Sequence, residues 1–223
     1  MNAVARLIWD LPTRLFHWTL VALIALQFAT AKFGFLSMDW HFRFGYATLI
    51  LIVFRVCWGF FGSQSSRFSQ FVRGPAIVVR YVTSQFSTNP HVSIGHNPLG
   101  GWSALVLLAD VLVQAVSGLF ASDGIDTDGP LSDTISSSAV KIFTRVHLWN
   151  ENILLILIAL HVVAIVLYLV LRNDNLTMPM ITGRKNVEGP PLRIASLWRA
   201  ALLLILSAGA VAAAIGWALR SST

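Results

Sequence analysis

Cysteine is almost absent. Cys57 is the only one in 223 residues, and it lies inside an apolar run. No intrachain disulfide can form, no C-x-x-C pair is available for zinc or an iron–sulfur cluster, and no C-x-x-C-H exists for covalent attachment of a cofactor. Charge is scarce as well. Only 12% of residues are charged, about half the roughly 25% of a typical soluble domain, while 56% are hydrophobic. That balance excludes a disordered chain, a coiled coil and an ordinary soluble enzyme. Acidic residues are the scarcer sign, 10 against 16 basic, for a formal charge of +6. With so few charges, this excess reads as Arg-rich loops on one side of a membrane and not as a nucleic-acid surface.

Long apolar runs are what the sequence has in abundance. Five are evident: Leu15–Leu36, His41–Phe61, Leu99–Phe120, His147–Leu171 and Leu197–Leu219. Each is near the roughly 20 residues that a helix needs to cross a bilayer. None alternates as a half-buried strand does, and a spanning segment must satisfy its own backbone, so helices are expected. The fold class is therefore an all-α integral membrane protein. Basic residues concentrate in the N-terminal lead (Arg6, Arg14), after the second span (Arg67, Arg73, Arg80) and after the fourth (Arg172, Arg184, Lys185, Arg193, Arg199). The positive-inside rule puts those segments, and the N-terminus, in the cytoplasm, and the C-terminus outside, in the periplasm. A cleavable leader is the competing reading of the first span, since an Arg-bearing lead, an apolar run and Ala29-Thr30-Ala31 fit one. Keeping the span preserves the alternation of loop charge. The Gly/Pro-rich stretch Gly183–Pro191 divides residues 1–185, with four spans, from residues 186–223, a linker and a fifth span. In the fifth span Ala208, Ala212 and Gly216 recur every four residues, a spacing that lets helices approach closely and suits a packing or oligomer contact.

Four of six histidines lie in or at the ends of spans, where ionisable residues are functional candidates. His17 enters the first span on the N-terminal side. His41 opens the second and His147 the fourth on the other side. His161 follows His147 by 14 residues, nearly four helical turns, so the two share a face about 21 Å apart. One helix thus offers imidazoles at two depths, and His41 and His17 supply partners at each. Two b-type haems, each held by two neutral imidazoles, fit this arrangement, with His41 paired with His147 and His17 with His161. Hydrogen-bonded structural histidines near helix ends are the alternative.

Several segments carry a family resemblance: W-D-L-P-T-R-L-F-H-W (Trp9–Trp18), H-F-R-F-G-Y (His41–Tyr46), R-V-C-W-G-F-F-G (Arg55–Gly62), H-N-P-L-G-G-W (His96–Trp102), H-L-W-N-E-N (His147–Asn152), A-L-H (Ala159–His161) and M-I-T-G-R-K (Met180–Lys185). They are spread over Trp9–Lys185, about four-fifths of the chain. This stretch resembles the bacterial cytochrome b561 superfamily, and within it the membrane b-type cytochromes grouped with nickel–iron hydrogenase cytochrome b subunits. The resemblance implies a four-helix core with two b haems at His17, His41, His147 and His161. It also implies electron transfer between the quinone pool and a periplasmic cytochrome c or an oxidoreductase such as hydrogenase, in the bacterial inner membrane. The fifth C-terminal transmembrane helix lies outside that core.

Haem propionates need donors, and Arg55, Arg14 and His96 are candidates on the N-terminal side. Arg55 could instead snorkel to headgroups. His96, with Asn97 and Pro98, also suits a cap for the third helix. His91 reads as a solvated loop residue. Asp110, near mid-membrane, could be protonated, paired with Arg55 or on a proton path to a quinone. Glu151 could orient an imidazole or simply favour the start of the fourth helix through its dipole. Trp9, Asp10 and Arg14, or Trp40 and its loop, could border a quinone site. Asp123, Asp126, Asp128 and Asp133 make the outer loop acidic, which suits a basic redox partner and opposes an anionic small substrate. A small-molecule:quinone oxidoreductase, with superoxide as one substrate, and a non-redox membrane anchor remain the alternative functions.

Overall fold

A computed structural model describes residues 4–84 and 95–221; His91 lies outside the described residues. In chain order it contains β1 (Val4–Leu7), α1 (Leu11–Phe33), α2 (Met38–Phe61), the short α3 (Phe68–Phe71), α4 (Pro75–Ser84), α5 (Pro98–Phe120), α6 (Ser137–Arg172), α7 (Thr177–Thr182), β2 (Arg184–Val187) and α8 (Leu197–Ser221). Among the described residues, α1, α2, α5, α6 and α8 are the five helices long and apolar enough to cross a membrane. Below, the face where α1 begins is the near face and the opposite one the far face.

Local chemistry sets the helix ends. Asp10 accepts the Thr13 N–H at 2.7 Å and Pro12 stands in the first turn, so α1 begins four residues earlier than its apolar run. Gly34, at φ 62°, ends α1 in the left-handed region. Asn97 caps α5 through the Gly100 N–H at 2.6 Å. The expected cap role for His96 therefore belongs to its neighbour.

α6 differs most from expectation. Ser136 caps it, and it runs for 36 residues, about 54 Å. Its first ten residues precede the apolar run that starts at His147 and include Lys141 and Arg145. The helix simply continues out of the roughly 30 Å hydrocarbon layer. His147 thus lies nearly three turns inside the helix. Glu151 lies a turn deeper, beyond the reach of the N-terminal dipole invoked for it.

α1 packs on α2, α2 on α5, and α5 on α6, while α8 lies against α2. Phe16, Ile52, Phe54, Trp58, Val111 and Leu154 form the core, and Ala200 of α8 joins it. The packed face of α8 carries Ala200, Leu203, Ser207 and Val211. The expected small-residue stripe is not that face: Ala212 is exposed, and a Cβ at Gly216 would meet nothing.

At the near face one carboxylate ties the chain together. Asp10 is 1% exposed. Besides capping α1, its Oδ2 accepts from Trp58 Nε1 at 3.1 Å and from Ser66 Oγ at 3.2 Å. Beside it, β1 pairs antiparallel with β2, from Val4↔Val187 to Leu7↔Arg184. Gly183, at φ 82°, accepts the Ile8 and Trp9 N–H groups at its carbonyl. A Cβ there would stand 2.8 Å from the Trp9 carbonyl oxygen. The first and last motifs of the resemblance are thus one structural unit. Ala195 N–H donates to Ser63 Oγ at 2.9 Å, which stitches the segment before α8 to the same knot.

Replacing Asp10 by Ala strands three donors in a buried place. The expected cost is about 2–4 kcal/mol, with a smaller loss for Asp10→Asn, which keeps an acceptor. Thermal unfolding in detergent checks this; equal melting of Asp10→Ala and the natural chain would contradict it.

Candidate cofactor sites

Two polar clusters interrupt the apolar interior, one towards each face. In the far cluster the rings of His41 and His147 stand 6.4 Å apart, centre to centre, with planes at 88°. Each ring is fixed the same way. His41 Nδ1 is 3.2 Å from the Gln27 carbonyl oxygen and 3.1 Å from Thr30 Oγ1. His147 Nδ1 is 3.0 Å from the Gln114 carbonyl oxygen and 3.4 Å from Ser117 Oγ. In both cases the hydroxyl, three residues after the glutamine, also donates to the glutamine carbonyl. A carbonyl can only accept, so each Nδ1 carries the proton and each Nε2 keeps its lone pair for a ligand. The glutamine side chains are themselves held: Gln27 Nε2 donates to Thr48 Oγ1 at 2.9 Å, and Gln114 Oε1 accepts from Asn150 Nδ2 at 3.0 Å.

The spacing tests whether iron between the rings fits. A metal–imidazole nitrogen bond is roughly 2 Å, and the ring nitrogen lies about 1.1 Å from the ring centre, so two trans imidazoles have centres about 6.3 Å apart. The observed separation agrees. Among the described residues no set of three or more His, Cys, Asp or Glu side chains converges as a bare metal ion requires. Two imidazoles suffice where a macrocycle fills the other positions. A cavity of about 500 Å³ adjoins the pair, lined by both histidines, Gln27, Gln114, Gly118 and Glu151. Gly118 permits the close approach of α6, since a Cβ there would lie 2.8 Å from His147 Cε1. Glu151 pairs with Lys32 at 2.7 Å across the cavity, from α6 to the end of α1. At the mouth, Asp123 Oδ1 accepts from the Ile125, Thr127 and Asp126 N–H groups, which hold its carboxyl below the usual range.

The near cluster gathers His17, His96 and His161. His17 and His96 each lie within electrostatic reach of His161, and His96 is also within reach of Arg55. Nδ1 of His17 and Nδ1 of His96 are buried without a hydrogen-bond partner, as is Ser65 Oγ. Unsatisfied polar atoms are rare in interiors, and these fit a polar group supplied by a cofactor. His96 is clasped by Trp9, edge to face at 4.6 Å, and Phe71 at 4.4 Å. Arg55 is 3% exposed, donates to the Ser66 carbonyl at 3.2 Å and lies over the Phe68 ring at 5.3 Å. It does not snorkel, and it points to the Asp10 knot and not to Asp110. Arg14 donates to the Ile181 carbonyl, and Trp18 Nε1 to that of Met180, so both cap α7.

The sequence reading missed Gln27, Thr30, Gln114, Ser117 and Asn150. Polar residues within apolar spans were the available signal, most clearly the repeated Q-x-x-T and Q-x-x-S at Gln27–Thr30 and Gln114–Ser117.

Burial, then the charges of Arg55 and His161, lowers the His96 pKa to about 3. His96 is therefore neutral when folded and protonatable near pH 6.5 when unfolded, so acid favours the unfolded chain through this residue as pH falls from about 6.5 towards 3. A His96→Gln variant is expected to lose less melting temperature between pH 7 and pH 5 than the natural chain; equal losses would contradict the assignment.

The family model described as prokaryotic cytochrome b561 matches residues 8–183, which contain both clusters and end just before β2. No curated protein and no solved structure matches. A match over most of the chain, with five membrane-length helices, gives the identity: the chain belongs to the prokaryotic cytochrome b561 family, multi-pass bacterial membrane proteins that bind b-type haem and carry electrons across the membrane.

Proposed function

We propose that this cytochrome holds two b haems, one between His41 and His147 and one between His17 and His161, and relays electrons between the quinone pool and a redox partner at the far face. The far-side pair of imidazoles, both anchored at Nδ1 and spaced for one iron, is the observation that carries this reading. Haem supplies a reversible one-electron iron couple. The chain's own residues do the rest. Main-chain carbonyls at Gln27 and Gln114 fix ring orientation and raise the basicity of each imidazole. The core residues between the clusters exclude water, and α6 carries His147 and His161 at depths about 21 Å apart. On the near side, His96 and Arg55 are the donors available to propionates, with Arg14 bordering the site while it caps α7.

In this reading the Arg-rich near face is cytoplasmic, and the N-terminus with it, while the far face and the C-terminus are periplasmic. Residues 1–185 carry both haems. Residues 186–223 add a helix whose outer face is available to a partner subunit or a second copy. The far-side cavity opens beside Asp123 and Asp128, and this acidic rim suits a basic patch on a periplasmic cytochrome c or oxidoreductase subunit.

Purified chain should contain two haems per polypeptide and give a b-type reduced-minus-oxidised spectrum. His161→Ala should remove the near-side haem and leave the far-side one; His147→Ala should do the reverse. A stoichiometry near one, or loss of all haem in only one of the two variants, would contradict the pairing.

A further inference from the structure

Asp110 is a buried acid that the electron relay does not use. It stands in the middle of α5, 12 residues after Pro98, about 18 Å along the helix axis and so near mid-membrane. It is 8% exposed, and its Oδ2 is buried with no hydrogen-bond partner. The titratable groups on the helices packed against α5 are engaged elsewhere. Arg55 on α2 donates to Ser66, and His41 on α2 and His147 on α6 donate to carbonyls. Glu151 on α6 pairs with Lys32, and Tyr81 on α4 with Tyr168. His161 on α6 lies in the near cluster, and Arg80 on α4 sits at the near face. An ionised carboxylate left without a partner in such a place is costly, whereas the neutral acid is tolerable.

Its surroundings lead to the far-side pair. Asn150 Nδ2 donates both to the Asp110 carbonyl at 3.1 Å and to Gln114 Oε1 at 3.0 Å. Gln114 lies one turn further along the same face of α5. Its carbonyl holds His147 Nδ1, and its Nε2 is 3.5 Å from His147 Nε2. The far-side cavity reaches this depth, since Val111, next to Asp110, and Leu154 line it together with Asp123 and Thr127 at the mouth. The Asp110 carboxyl thus stands in a low-dielectric interior, one helical turn from the residue whose main-chain carbonyl holds His147.

Charge at the two places must be coupled. A ferric centre held by two neutral imidazoles favours a nearby carboxylate, and one added electron favours the neutral acid. We propose that Asp110 is the proton-accepting residue that accompanies reduction of the far-side haem. When the iron that His41 and His147 would hold takes one electron from a one-electron donor, the Asp110 carboxylate would take up one proton from water and become the carboxylic acid. Oxidation reverses both. The far-side potential then falls as pH rises, because protons are consumed on reduction. This rests on the His41–His147 haem proposed above.

The test is a redox titration of the purified holoprotein between pH 5.5 and 8.5, together with reduced-minus-oxidised infrared difference spectra. The natural chain should show a far-side potential that falls with pH, and a protonated-carboxyl band that appears on reduction. Asp110→Asn should flatten the pH dependence and remove that band, while Asp110→Glu should restore both in part. Persistence of the slope and the band in Asp110→Asn would overturn the proposal. So would a natural chain with both haems and no carboxyl band, a result that needs no variant to fold. Absence of the far-side haem itself would instead count against the two-haem reading.

Discussion

The far-side site depends on a single kind of bond, the N–H of an imidazole donated to a main-chain carbonyl one helix away. Hydrocarbon offers no partner for either ring nitrogen, so the protein must assign both. Committing Nδ1 to the Gln27 or Gln114 carbonyl fixes the tautomer and leaves Nε2 unprotonated, with the rings 6.4 Å apart. A helix carbonyl already accepts its own i+4 amide, and the second lone pair is what the histidine uses. Thr30 and Ser117 converge on the same two carbonyls and on the same Nδ1 atoms. The two halves of the site are thus built from one pattern on α1 and α5, facing histidines on α2 and α6.

That geometry survives only if the helices keep their register, and the near face holds it. Asp10 joins the start of α1 to the end of α2 and to the loop that follows. β1, β2 and Gly183 join the N-terminal lead to the end of α7, and Ser63 holds the start of α8. Tyr81, Tyr168 and Asn97 link α4, α6 and the cap of α5. The near face is therefore cross-linked by polar bonds. The far face has the shorter connections, 34–37 and 121–136, and a cavity open beside acidic residues. Rigid register at one end and access at the other suit a relay that receives a partner at the far side.

Much of this was legible in the sequence. Five apolar runs gave the five helices, because hydrocarbon thickness imposes their length. The 14-residue spacing of His147 and His161 gave a shared helix face, because helical periodicity does. What failed had physical causes too. Hydropathy saw α6 only where it lies in lipid, and so missed the turns from Ser137 to Val146 that extend beyond it. Within the chain α8 turns Ala200, Ser207 and Val211 inward, so the stripe at Ala208, Ala212 and Gly216 is not its intrachain contact. Gln27 and Gln114 act chiefly through their carbonyls, which no residue type encodes. For Arg55 the headgroup alternative fails, because the side chain is buried against Ser66 and three aromatic rings, contacts that no single span encodes.

The central claim is that His41 and His147 are the two axial ligands of one haem. Low-temperature electron paramagnetic resonance of the ferric protein addresses it directly. Two low-spin ferric signals are expected, and His147→Ala should abolish or convert to high spin one of them while the other is unchanged. A natural protein whose spectrum is dominated by high-spin five-coordinate iron, or a His147→Ala variant that retains both low-spin signals, would contradict it.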